Sequence, residues 1–310
     1  MKRRAVLLMA YGSPSSMDDL EPYLLDVRDG RPPPPALVEE MRRRYTLIGG
    51  SPLNRITAEQ AQALQAELAR RGRNWPVYVG MRHGSPRIRE AVAGLQRDGV
   101  TDAAALVLAP HCSSLSIGRY RKRLEEAQAA AGGGIRFQVV NSWWRQPRMI
   151  EAMERRVRDA WQRISARPAG RMRVVFTAHS LPARIRAEGD PYEEELLANA
   201  RTLAERLELT DWMLAFQSAG AGPEPWLGPT IEEVIPRLAR DGYRQVLVAP
   251  IGFVCDHVEI LYDLDVEARR VAEKHGLRLE RTESMNTYPP FIAAVADAVE
   301  DRMKSAEVGP

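Results

Sequence analysis

The sequence predicts an α/β protein of two similar halves, each a four-stranded parallel sheet flanked by helices. Three observations carry this. Short apolar runs alternate with longer amphipathic stretches along all 310 residues, the pattern of parallel sheets covered by helices on both faces. The segment VLLMAYGSP at 6–14 returns in outline as VVFTAHSLP at 174–182, with Ala10 over Ala178, Tyr11 over His179 and Pro14 over Pro182, each 168 positions apart. A second echo sets LVLAPHCSSLS (106–116) beside VLVAPIGFVCD (246–256), each a strand-like run ending in Ala-Pro. A chain of this length holds about two domains of about 150 residues. The expected division is 1–145 and 146–310, with the last helix packing back on the first half.

The first strand is expected over 4–10, where an apolar run stops at Tyr-Gly-Ser-Pro. No small-x-small cleavage site follows the basic start MKRR, so the run reads as a strand and not as a targeting segment. Thr57 with Gln60 forms a capping-box pattern for a helix that Gly72 is placed to stop. A strand at 76–81 precedes Ser85 and Pro86, a helix start with proline at the first position, and Gly99 ends that helix. Strands at 103–109 and 135–140 complete the first set. The second set lies at 172–178, 212–218, 244–250 and 277–281, with Asp190-Pro191 as a helix start and Gly242 as a stop. Ligands of open α/β sheets bind beyond the carboxyl ends of the strands, where strand order reverses. Tyr11 and His179 are therefore expected to face one cleft from opposite halves.

Composition excludes several classes. Apolar residues make up 45% and charged residues 27%, and no apolar run approaches the roughly 20 residues that span a bilayer. An integral membrane protein is not expected. The net charge is +3, but only Lys2, Lys122, Lys274 and Lys304 among 44 basic residues are lysines, and the arginines are spread among acidic neighbours. That arginine excess marks coding bias and not a nucleic-acid surface. Cys112 and Cys255 are the only cysteines, with no C-x-x-C pair for zinc, iron–sulfur or redox exchange, which suits a reducing cytoplasm. A nucleotide is not expected either. GAGPEPWLGP at 220–229 is the glycine-rich turn after a strand, and Pro223 and Pro225 remove the amide donors a phosphate cradle needs.

The richest stretch is DHVEILYDLDVEARR at 256–270. Read as one helix, it lines up Glu259, Asp263 and Glu267 at i, i+4 and i+8. Each like-charge neighbour costs about 0.2–0.5 kcal/mol, and no basic residue is spaced to relieve it. A solvated acidic face is the plain alternative. Val258, Ile260, Leu261 and Leu264 cover much of the circumference, however, which turns the stripe towards a cleft. His179, at the end of its strand, has its own plain alternative as a structural histidine. Together, an imidazole and carboxylates suit a divalent metal held with open positions. The second histidine of H-E-x-x-H hydrolases is missing, so hydrolytic zinc chemistry is not expected.

These segments together resemble the ferrochelatases, enzymes that insert ferrous iron into a porphyrin. The likeness runs nearly the full length, through VLLMAYGSP, RYTLIGGSPLNRIT, GMRHGSP, LAPHCSSLSIGRY, FTAHSLP, FQSAGAGPEPWLGP, PIGFVCDHVEILYDLD and NTYPPF. AHSLP combined with GFVCDHVEILYD is its most specific part. The resemblance implies two Rossmann-like halves, chelatase-like, with a porphyrin cleft between them. It assigns catalysis and the metal contacts to His179 and Glu259, and a metal path to Asp263 and Glu267. It also implies porphyrin contacts at Arg28 in DVRDGR, Arg44 and Tyr45 in RRRYTLIGG, Ser51 in GGSPL and Tyr120 in GRYRKR. GGSPL lacks a residue that some relatives carry before the serine. The AYG tripeptide resembles the soluble coproporphyrin-using branch, in which the tyrosine, here Tyr11, approaches the product iron.

Iron is thereby expected as a substrate, with no iron–sulfur cluster and no nucleotide. Coproporphyrin III is the expected porphyrin, because VRDGRPPPPALVEEMRRRYTLIGG offers prolines and arginines where protoporphyrin-using relatives carry a hydrophobic lip. Its four propionates want guanidinium and hydroxyl partners. Neutral imidazole can ligate iron or accept a pyrrole proton, Glu259 can take either role, and the sequence does not divide them. A protoporphyrin IX ferrochelatase, a cobalt or nickel tetrapyrrole chelatase and a non-catalytic haem-precursor carrier remain as alternatives. A monomer is expected, with transient contacts to the enzymes before and after it in haem synthesis.

Overall fold

The structure, a computed structural model, describes residues 3–167, 170–220 and 224–308. Its strands are β1 (Arg4–Ala10), β2 (Val77–Met81), β3 (Asp102–Val107), β4 (Arg136–Val140), β5 (Met172–His179), β6 (Trp212–Gln217), β7 (Gln245–Ala249) and β8 (Arg278–Arg281). They form two four-stranded sheets, ordered β2-β1-β3-β4 and β6-β5-β7-β8. Every pairing is parallel. The α/β expectation and the equivalence of the two echoes hold: β1 answers β5, and β3 answers β7. These strands were legible because sheets covered on both faces demand unbroken apolar runs. Ala5–Met9, Ala103–Val107, Val174–Phe176 and Val246–Val248 are all buried.

The helices are α1 (Leu20–Val27), α2 (Pro35–Leu47), α3 (Leu53–Arg70), α4 (Ile88–Arg97), α5 (Arg119–Ala130), α6 (Pro147–Ser165), α7 (Tyr192–Arg206), α8 (Ile231–Arg240), α9 (Val258–Leu261), α10 (Arg269–Lys274) and α11 (Pro289–Val308). Among the described residues no helix is long and apolar enough to cross a membrane. The chain forms two compact units. One takes the chain up to Ala109, Ser114–Arg148 and the chain from Asn286 onward; the other takes Pro110–Ser113 and Met149–Met285. In the first unit α11 packs on α3 and beside β3 and β4.

Two expected helix starts are overturned. Thr57 lies inside α3, fully buried, and its hydroxyl donates back to the Leu53 carbonyl at 2.8 Å, while Gln60 donates to the Asn286 carbonyl at 2.9 Å. A mid-helix threonine bonding to residue i−4 mimics a capping box in sequence. The helix after β2 begins at Ile88, beyond Pro86, where the Glu90 carboxylate reaches back to the Arg87 amide at 2.9 Å. The third start holds: the Asp190 carboxylate accepts from the Tyr192 amide at 3.0 Å. Gly72, Gly99 and Gly242 follow the ends of α3, α4 and α8 with positive φ, as expected.

A set of charges ties α11 to α3. The Arg71 guanidinium pairs with Glu67 at 2.7 Å, Asp297 at 2.7 Å and Glu300 at 3.0 Å, and donates to the Ala293 carbonyl at 3.1 Å. Only 14% of its side chain is exposed, so removing the cation leaves three carboxylates of a poorly solvated place with one partner each, Arg70, Arg148 and Arg73. Arg71→Met is expected to cost about 2–4 kcal/mol in urea unfolding at neutral pH. Arg70, outweighing the cost of burial and joined by Arg71, holds Glu67 at about 2 against an ordinary 4.5. A carboxylate depressed on folding stabilises fully above its unfolded pKa and loses that contribution as pH falls through its folded value. The gap between wild type and Arg71→Met should therefore narrow from about pH 4.5 towards pH 2.

Candidate functional site

In each sheet the first strand lies between the second and the third, so the chain leaves it in opposite directions and opens a crevice at the carboxyl ends. In the second unit that position belongs to β5 and β7. β5 ends on His179, and its extension is pinned by the Ser180 amide on the Gln217 carbonyl (2.8 Å), the Ser180 hydroxyl on the Leu227 carbonyl (2.7 Å) and the Tyr192 hydroxyl on the His179 carbonyl (3.0 Å). The loop after β7 is drawn against this end by Gly252, whose amide donates to the Thr177 carbonyl at 3.2 Å. A Cβ there would lie 2.6 Å from the Ala178 Cβ and 2.9 Å from its Cα. The loop continues through Phe253 to His257, in extended backbone, and then to Glu259 in the single turn of α9.

Glu259 stands between two imidazoles. His179 Nε2 lies 3.4 Å from its Oε1 and His257 Nε2 3.4 Å from its Oε2. His179 Nδ1 donates to the Ser180 carbonyl and His257 Nδ1 to the Cys255 carbonyl, which leaves Nε2 of both rings for the carboxylate. A lone pair on either Nε2 would face a carboxylate oxygen across a gap wider than an ordinary hydrogen bond of about 2.9 Å. Such a gap accommodates a proton or a cation. Two donors each about 2.1 Å from one divalent ion, at a tetrahedral angle, stand about 3.4 Å apart. Among the described residues no group of three or more His, Cys, Asp or Glu side chains is disposed to hold a metal ion. What the strand end offers is the His179–Glu259 pair.

The charges follow from the contacts. Burial depresses the His179 imidazole, but Glu259 outweighs it and holds the group at about 9. Burial pushes Glu259 up, and His179, then His257, pull it well below the ordinary carboxylate range. Below the pair, the Gln217 amide donates to the Glu259 carbonyl at 2.6 Å and accepts from the Thr177 hydroxyl at 2.9 Å, so β5 and β6 fix α9 directly.

The acidic stretch is not one helix. After α9 the chain makes a wide π-helical turn over Asp263–Ala268, where the Glu267 amide donates to the Tyr262 carbonyl at 2.9 Å, before α10 resumes ordinary spacing. Asp263 is buried (4% exposed) and accepts from the Ser218 hydroxyl. Glu259 and Glu267 are half-buried, and Glu232, already raised by burial, is pushed further up by the Glu267 charge. A solvated acidic face is thereby ruled out for Asp263. The turn GAGPEPWLGP cannot be followed throughout, since residues 221–223 lie outside the described residues.

In the first unit the corresponding position belongs to β1 and β3. Tyr11 follows β1 and is 39% exposed. Gly12 (φ +91°) lets the next loop meet the end of β2, for a Cβ there would sit 1.8 Å from the His83 carbonyl oxygen. The Tyr11 ring thus lies 4.8 Å from that of His83, centroid to centroid. His83 is 1% exposed, and its Nδ1 meets Asp26 Oδ2 at 2.7 Å; Arg87 grips the same carboxylate at 2.8 Å. The Arg82 guanidinium carbon lies 5.6 Å from the Tyr11 ring centre and 5.9 Å from that of Tyr120.

The other expected contact residues are dispersed over this unit. Arg28, half-buried, closes α1 and donates to the Arg31 carbonyl at 3.3 Å. Arg44 pairs with Glu40 at 2.7 Å. The Ser51 hydroxyl accepts from the Leu53 amide at 3.4 Å. Tyr45 and Tyr120 are 2% and 4% exposed, so their rings present no open face. Sequence reasoning assigned no role to His257, Arg82, His83 or Asp26. His257, two positions before Glu259, was the one with a legible signal; the others meet only through folding.

A sequence profile of the ferrochelatase family matches residues 3–303. A ferrochelatase from Herpetosiphon aurantiacus is 42% identical over 292 residues, covering 94% of this chain and 96% of its own. A protein from Geobacillus kaustophilus named coproporphyrin III ferrochelatase is 38% identical over 302 residues, covering 96% and 95%. The structure of SirB from Bacillus subtilis with Fe3+ shares the fold, with a TM-score of 0.64, 14% identity and coverage of 99% and 98%.

The approach of Gly252 to Ala178 generates a prediction. Gly252→Ala places a methyl group against backbone that cannot yield, and is expected to destabilise the second unit by about 1–3 kcal/mol. Urea unfolding monitored by tryptophan fluorescence reads the loss; an unchanged midpoint would show that the loop relaxes freely.

Proposed function

This chain belongs to the ferrochelatase family, and from that premise we propose that it inserts ferrous iron into coproporphyrin III, with His179 and Glu259 handling the metal and the pyrrole protons. It is a metal chelatase of haem biosynthesis, in which iron is a substrate. The observation that carries the residue assignment is the 3.4 Å separation of His179 Nε2 and Glu259 Oε1 at the carboxyl end of β5.

Insertion exchanges one dication for two protons. The porphyrin loses both pyrrole N–H protons, exposes its nitrogen lone pairs by buckling, and receives an iron ion stripped of water. A donor pair with little else bound to it suits that exchange. It replaces lost water ligands, then releases the metal to four ring nitrogens because it does not enclose it. His179 and Glu259 share these tasks: once the Nε2 proton that Glu259 favours on His179 has passed to solvent, each can hold the ion, and each can receive a proton. Asp263 and Glu267 extend the acidic line along the π-helical turn and feed it with metal.

Support for coproporphyrin III comes from relatives that bear its name, among them the one from Geobacillus kaustophilus. Arginine-rich sequence around α1 and α2 adds to it, with Arg28, Arg44 and Ser51 half-buried and thus within reach of propionates. Tyr45 and Tyr120, being buried, serve as the packed support of these contacts. Tyr11, the counterpart of His179 in the sequence repeat, is assigned to the iron of the product, which a phenol would ligate as its anion once dioxygen has oxidised the ferrous product to the ferric state.

Four outcomes test the reading. With ferrous iron, turnover on coproporphyrin III should exceed that on protoporphyrin IX; the reverse order would discard the coproporphyrin assignment. His179→Ala and Glu259→Gln should nearly abolish insertion while porphyrin binding, read by fluorescence, stays within about tenfold, or about 1.4 kcal/mol. Asp263→Asn and Glu267→Gln should instead raise the iron concentration needed for half-maximal rate. Equal defects at all positions would make the line one structural unit. Tyr11→Phe should keep turnover and change the visible spectrum of the bound iron product, whereas an unchanged spectrum would remove Tyr11 from the metal.

A further inference from the structure

Arg82 follows β2 directly, and its amide donates to the Ala10 carbonyl at 2.9 Å, which extends the sheet and fixes where its side chain starts. Its guanidinium lies over the Tyr11 ring at 5.6 Å and the Tyr120 ring at 5.9 Å. Both distances fall within the roughly 6 Å over which a cation is attracted to an aromatic face. Among the described residues no carboxylate pairs with it. The acid that meets the neighbouring His83 from α1, Asp26, is already committed to it at 2.7 Å and to Arg87 at 2.8 Å. Arg44 and Arg87, by contrast, each hold an acidic partner. Arg82 is thus a half-buried guanidinium whose fork of N–H donors meets no anion among the described residues.

We propose that Arg82 is a specificity-determining residue of the porphyrin site: held between Tyr11 and Tyr120, its guanidinium receives a carboxylate of the substrate. The inference rests on the reading of Tyr11 as a porphyrin-facing residue and adds a carboxylate contact to it. Contact with two rings restricts the guanidinium before the ligand arrives, so less ordering remains for binding a carboxylate. The neighbouring Asp26 strengthens the arrangement, since its charge is spent on Arg87 and His83 and does not compete with a propionate.

The test compares each porphyrin acid with its methyl ester, which keeps the macrocycle and removes the charges. Binding of coproporphyrin III, its tetramethyl ester, protoporphyrin IX and its dimethyl ester is titrated by fluorescence against wild type, Arg82→Gln and Arg82→Lys, with thermal melting to confirm folding. Arg82→Gln is expected to weaken the acids about tenfold to a hundredfold, as loss of a charge-assisted contact does, and the esters less than about twofold. Arg82→Lys keeps the charge without the planar fork and should lose about threefold on the acids alone. Equal weakening of acids and esters would reduce Arg82 to an aromatic packing element, and undiminished binding of the acids would overturn the proposal outright. Should Arg82→Gln not fold, the acid-to-ester ratio of Arg82→Lys decides in the same way. Wild-type preference between the two acids judges the coproporphyrin reading separately, because the acid-to-ester comparison is made within each porphyrin.

Discussion

A strand buried on both faces can carry a reactive side chain only where it leaves the sheet, and the rest of this molecule is arranged around that constraint. β1 and β5 are the strands at which the order of each sheet reverses, so both have neighbours on either side and no free edge. Their buried side chains up to Ala10 and Ala178 are apolar except for Thr177, whose hydroxyl is bonded to Gln217. The next residue in each case, Tyr11 and His179, is the first to meet a polar environment. Loops must then close on these ends without filling the space around them, and a glycine does this in each unit. Gly252 lies against Ala178, and Gly12 against the His83 carbonyl. Neither position admits a side chain, which places the residues that follow within reach of the strand end.

The second constraint is charge. Glu259 is partly withdrawn from water, and an isolated carboxylate there would shift towards its neutral form. Two imidazoles prevent this, with His179 contributing more to the depression of its pKa than His257. The cost of holding these groups is met locally: both Nδ1 atoms are satisfied by backbone carbonyls, and Gln217 fixes the turn that carries Glu259. A metal that replaces a proton between Nε2 and the carboxylate keeps the same electrostatic sense. The resting site is therefore already polarised for a cation, and reorganisation is confined to a proton and water.

Much of this was legible in the sequence, for identifiable reasons. Parallel strands announce themselves as short apolar runs, and the repeat between 6–14 and 174–182 exposes the equivalence of β1 and β5. Local chemistry was less reliable where two structures share one pattern. Thr57 and Gln60 satisfy the capping-box spacing yet sit inside α3, because a threonine hydroxyl can equally bond back along a helix. Periodicity assumed ordinary turns over 256–270 and so missed the π-helical turn, in which the Glu267 amide bonds to the Tyr262 carbonyl five residues back. The Arg82–Tyr11–Tyr120 contact and the Asp26–His83 contact were beyond reach, since strand ends and helices far apart in sequence create them.

The two repeats have diverged in charge more than in form. At the end of β5 the chemistry is that of an imidazole and carboxylates: His179, Glu259 and, one turn on, buried Asp263. At the end of β1 it is a phenol and guanidinium groups, with Asp26, the acid in contact with that loop, neutralised by Arg87. One repeat thereby attracts cations and the other tolerates anions, although both hang from the same strand order. An acidic macrocycle that must take up a dication presents the same two demands, negative carboxylates at its rim and a metal to be placed at its centre.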